Sequence, residues 1–76
     1  MQVIKLVAGW MKESGIKVKV NKQGYIRDIK GNTLAVVTPK GHLDISGIGN
    51  YSPENIKDKK DRIIAGMKGL VGGGHN

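Results

Sequence analysis

The chain opens on a helical period. Polar Lys5, Gly9 and Lys12 recur along one line, while Val3, Ile4, Leu6, Val7, Trp10 and Met11 cover most of the remaining circumference. Gly15, after Glu13 and Ser14, stands where a left-handed helix cap belongs. The spacing predicts a helix over about residues 2 to 14, although Val3 to Val7 also suits an edge strand. From Ile16 to Ile48 the period becomes two. Ile16, Val18 and Val20 alternate with Lys17 and Lys19, the pattern of a strand with one face on a core and one in water. Asn21 to Gly24 supplies a turn, Tyr25 to Lys30 a second strand, Gly31-Asn32 a reversal, and Thr33 to Thr38 a third strand. Pro39-Lys40-Gly41 ends it and His42 to Ser46 makes a fourth. Connections this short permit only an antiparallel meander, because parallel crossovers need about a dozen residues or more.

Ile26 and Ile29 have opposite parity, so a regular strand cannot turn both inward; a bulge near Arg27-Asp28 reconciles them and increases the curl. Gly47-Ile48-Gly49-Asn50 breaks the pattern. Ser52-Pro53-Glu54 then has the makings of a helix start: a capping serine, proline at the first helical position and an early acid. That second helix is expected from about 53 to 70, with Ile56, Ile63, Ile64, Met67 and Val71 on one face. Lys57 with Asp61, and Asp58 with Arg62, are spaced to pair along its other side. Residues 72–76 read as a flexible Gly-rich tail. The expected fold is α+β: a small curled antiparallel sheet or SH3-like barrel with a helix at each end, in one domain over residues 1–71.

The string Gly24-Tyr25-Ile26-Arg27-Asp28-Ile29-Lys30-Gly31-Asn32-Thr33-Leu34-Ala35-Val36 resembles the central hairpin of small SH3-like barrels, including KOW-type modules of ribosomal and transcription-elongation proteins. In those families a glycine opens a G-x-I-x-x-I strand and alternating aliphatics return. Tyr51-Ser52-Pro53-Glu54-Asn55-Ile56 looks like the short turn that ends many such barrels. The resemblance covers about half of the chain. It implies binding of RNA, DNA or protein through loops and one sheet face, with no chemistry.

Size and composition narrow the function classes. A chain of 76 residues buries too little surface to enclose a deep catalytic cavity. The absence of cysteine removes disulfides, thiolate nucleophiles and cysteine-ligated metals, and favours a reducing, cytoplasmic setting. The apolar N-terminal stretch is too short to span a bilayer and has no basic leader, so no signal or membrane segment is expected. Thirteen basic against six acidic residues give +7, a balance that points toward a polyanionic partner, nucleic acid foremost.

Lys17 and Lys19 share a strand face that Arg27 or Lys30 extends, with Lys22 near its end and Tyr25 as the one aromatic platform beside them. These six form the candidate nucleic-acid site; the same lysines also suit a sheet edge guarded against aggregation. Val3, Val7 and Trp10 form a second candidate, a protein-docking or self-association face on the first helix, since that helix is apolar over more of its girth than one small sheet covers. Trp10 reads first as a core plug packing the helix over the sheet, and otherwise as a partner anchor.

His42, Asp44 and Ser46 contain the residue types of a hydrolytic triad. Residues two apart on a strand stand about 6–7 Å apart, too far for hydrogen bonds in series, so this is expected to be a solvated strand face. His42 and Asp44 with Asp28 or His75 match no metal-ligand spacing. No enzyme activity, cofactor, metal or small-molecule substrate is expected.

Overall fold

The computed structural model describes residues 2–72. Helix α1 (Val3–Glu13) precedes five strands, β1 (Val18–Val20), β2 (Tyr25–Asp28), β3 (Thr33–Val37), β4 (Leu43–Ile45) and β5 (Gly49–Tyr51), and helix α2 (Lys60–Gly72) follows them. The strands form one antiparallel sheet in chain order, β1-β2-β3-β4-β5. Among the described residues β1 and β5 share no ladder; the fold is α+β with a curled sheet that is not closed into a barrel. The expectation of 72–76 as a tail falls, beyond Gly72 itself, outside the described residues, and Gly72 belongs to α2.

Val3 to Val7 is helical, which resolves the choice between helix and edge strand. The end of α1 explains itself in hydrogen bonds. Gly15 takes φ +76°, its N–H donates to the Lys12 carbonyl at 3.1 Å, and the Ile16 N–H donates to the Met11 carbonyl at 2.8 Å. This Schellman arrangement satisfies carbonyls that the helix leaves open and turns the chain into β1. Val3, Val7, Trp10 and Met11 then pack into a core with Ile26, Leu34, Ala35, Leu43 and Ile45 from the sheet, and Ile56, Ile63 and Met67 from the C-terminal part.

Three expectations need correction. A fifth strand, β5, forms over Gly49–Tyr51 where the pattern looked broken, because the turn over 46–48 folds it back on β4 and sets Tyr51 opposite Leu43. Its own residues carry little strand propensity, and the pairing with β4 overrides that. The bulge exists but serves a different residue. The β2–β3 register slips between Ile26, opposite Ala35, and Arg27, opposite Thr33, leaving Leu34 as the extra residue. Leu34 and Ala35 are therefore both buried, whereas Ile29 is 64% exposed in the turn and Asp28 occupies the inward place.

The second helix begins at Lys60 rather than near Pro53. The Ser52 carbonyl accepts the N–H groups of Asn55 and Ile56, opening a series of turns over 53–59 that the buried Ile56 pins to the core. Between Ile56 and Ile63 every side chain is charged, so nothing clamps an intervening helical turn to the core. The Lys57–Asp61 and Asp58–Arg62 spacings consequently span this junction instead of one helix.

Gly24 sits at φ +91°, and a Cβ there would collide with the Val37 carbonyl oxygen. Its own carbonyl accepts the Val37 N–H at 2.7 Å. Gly9, in α1, faces open space. Urea unfolding of two variants checks this reading: Gly24→Ala is expected to lose about 2 kcal/mol or more, and Gly9→Ala to gain about 0.5–1 kcal/mol.

Candidate nucleic-acid interface

The pleat of β2 sorts its four residues. Ile26 and Asp28 are buried, so Tyr25 and Arg27 stand on the other face of the sheet, with Arg27 exposed and Tyr25 half-buried. Lys19 of β1 lies directly opposite Arg27. The Arg27 guanidinium sits over the Tyr25 ring, 5.3 Å from its centroid, within cation–π range. Directly opposed like charges destabilise a strand pair, so the Lys19–Arg27 pair is a local cost the fold carries.

Four of the six candidates converge. Lys19, Tyr25, Arg27 and Lys30 line one shallow groove of about 460 Å³. Lys17 and Lys22 do not line it. Lys17 lines a separate groove beside α2, and Lys22 lies at the β1–β2 turn, where a third concavity also holds Lys40. The six-residue stripe is thus a four-residue site with two outliers. Lys30 lines both its own groove and the one beside α2, where Lys68 joins it; Lys68, far off in sequence, carried no signal of this proximity.

Asp28 holds the rim of the groove in shape. Its Oδ1 accepts the N–H groups of Lys30 and Asn32, each at 2.9 Å, and its Oδ2 accepts the Asn32 side-chain amide at 3.2 Å. Burial alone raises the carboxyl pKa. The Asn32 backbone and side chain, the Lys30 N–H and the Lys30 charge outweigh it, and the net result lies below the ordinary 3.8. This acid in a basic groove is therefore occupied with closing the 29–32 turn.

The docking face assigned to Val3, Val7 and Trp10 is corrected by burial. All three are 9% exposed or less in the chain's own core. The apolar girth of α1 is absorbed by a larger core than the sheet alone provides, because Ile56, Ile63 and Met67 join it. Lys60 places its ammonium 5.7 Å from the Trp10 ring centroid, so the start of α2 meets the same side chain.

His42, Asp44 and Ser46 assemble no relay. The His42 Nδ1 lies 3.3 Å from Asn50 Oδ1, the Ser46 hydroxyl donates to the Thr33 carbonyl at 3.3 Å, and Asp44 is exposed between Val36 and Asn50. Among the described residues no three histidine or acidic side chains are grouped to hold a metal, and no helix is long and apolar enough to cross a membrane. His75, the alternative third ligand to Asp28, lies outside the described residues. The chain matches no protein-family model, no curated protein and no solved structure.

Because the folded Asp28 pKa is lowered, its contribution to stability is complete above the unfolded value and disappears as pH falls through the folded one. Thermal melts of the wild type and Asp28→Asn should show a constant gap at neutral pH that begins to narrow as the pH falls past about 3.8 and closes below the lowered folded pKa. A gap independent of pH would contradict the assignment.

Proposed function

We propose that the chain is a non-enzymatic module that binds the phosphate backbone of nucleic acid through Lys19, Arg27 and Lys30, with Tyr25 as a stacking surface. The observation that carries this reading is the cross-strand pairing of Lys19 with Arg27 beside an aromatic ring that the Arg27 guanidinium overlies on one face, 5.3 Å from its centroid. An anion bound between Lys19 and Arg27 would relieve the repulsion that their pairing costs the fold. Phosphate binding by such a cluster is independent of base sequence, and the tyrosine adds an affinity for unpaired bases. The resemblance of residues 24–36 to SH3-like modules points the same way, toward binding without chemistry. Lys17 and Lys22 belong to the outer electrostatic field of the site rather than to its contacts.

The protein-interaction alternative rested on Val3, Val7 and Trp10, which are buried in the chain's own core, so a partner would have to dock through other residues.

Fluorescence titration of a labelled oligonucleotide across a range of salt concentrations tests the proposal. Three phosphate contacts give a slope of log K against log salt of about −2.7 on duplex or −2.1 on single strands. Removing two of them, in Lys19→Ser with Arg27→Ser, should bring the slope to about one third of that, whereas Lys57→Ser, in the charged run before α2 and not among the groove's lining residues, should leave it unchanged. Absence of salt-sensitive binding at low ionic strength would end the proposal. Lys19→Glu is expected to weaken nucleic-acid binding about as much as the double serine variant yet to unfold later, with about 0.2–1 kcal/mol gained from the corrected pair.

A further inference from the structure

We propose that the groove beside the C-terminal turns of α2 binds a free single-chain anionic amphiphile, an aliphatic tail carrying one carboxylate head. The groove measures about 470 Å³, inside the range of roughly 300–1,000 Å³ typical of small-molecule sites. It lies where three parts of the chain meet: the α1–β1 connection, the β2–β3 turn, and the last turns of α2.

Its apolar wall comes from Ile16, Ile29, Leu70 and Val71. All four are aliphatic, which suits a flexible methylene chain better than a flat ring. Ile29 is 64% exposed, the most exposed large apolar side chain among the described residues, and a tail lying in the groove would cover it. Burial of that surface is the driving force for the tail.

Its charge comes from Lys17, Lys30 and Lys68. Asp28 is the one acid among the described residues that line the groove, and its oxygens already accept three N–H donors of the turn. Three ammonium groups around an apolar trough, set against one engaged carboxylate, complement an anionic head attached to an apolar body. Neither part was visible in the sequence, where the lining residues are scattered from Ser14 to Val71. The groove adjoins the nucleic-acid groove and shares Asp28, Ile29 and Lys30 with it, while Ile16, Lys17, Lys68, Leu70 and Val71 line this one alone of the two.

Titration of the full chain with straight-chain alkanoates of increasing length, kept below the concentration at which they aggregate and followed by heteronuclear NMR, tests this. Affinity should rise about three- to four-fold for each added methylene until the groove is filled. The shifts should fall on Ile16, Ile29, Leu70 and Val71. An alkanol of matched length should bind about tenfold more weakly, having lost the charged head. Ile29→Asn and Lys68→Glu, both at exposed positions where the fold should persist, should each weaken binding, and the wild-type methyl spectrum of the buried core verifies that persistence. Affinity that ignores tail length, shifts centred on Lys19 and Arg27, equal binding of the alkanol, or capture by anionic vesicles without binding of the monomeric alkanoate would each overturn the proposal.

Discussion

Everything in the proposed interface depends on the pleat of one four-residue strand. Successive side chains of β2 point to opposite faces, so burying Ile26 and Asp28 obliges Tyr25 and Arg27 to stand outside. The β1 register then puts Lys19 across from Arg27, and the turn that Asp28 ties together puts Lys30 at the end of the same groove. A slip of one residue would exchange the faces and bury the charges, which the core could not accommodate. Two devices hold the register: the close approach of Gly24 to Val37 at one end of the hairpin and the Asp28–Asn32 hydrogen bonds at the other.

The core that enforces this pleat is assembled from distant pieces. α1 supplies Val3, Val7, Trp10 and Met11, and the segment from Ile56 to Met67 supplies the opposing side chains. A Cβ at Gly66 would lie 2.7 Å from Ile48 Cδ1, the end of an exposed side chain that can turn aside. In a small domain each core side chain is a large share of the apolar burial, and none is spare for a partner. Apolar surface left in water lies instead at Val20, Ile48 and, most of all, Ile29 in its turn.

Period-two alternation made four strands and their antiparallel order legible, and the helical stripe with Gly15 located α1 closely. What escaped was decided by tertiary contact. β5 has almost no propensity of its own and exists through its ladder with β4. Ser52-Pro53-Glu54 carries good helix-start signals, yet the charged run up to Arg62 gives that stretch no apolar anchor after Ile56. The pattern assigns Ile29 a core place because it is aliphatic, while Asp28 takes that place because its carboxylate is satisfied by the turn it closes. For the site, strand parity placed Lys19, Tyr25 and Arg27 together correctly. Parity also grouped Lys17 with them, but beyond the end of β1 the strand rule no longer governs where a side chain lies.

The most direct test of the central claim is residue-level mapping of an oligonucleotide onto the sheet by heteronuclear NMR at low salt. The pleat predicts that shift changes gather on Lys19, Tyr25, Arg27 and Lys30 while the inward Ile26, Leu43 and Ile45 stay still. Changes centred on the basic residues from Lys57 to Arg62, with the outer face of β1 and β2 unmoved, would contradict it.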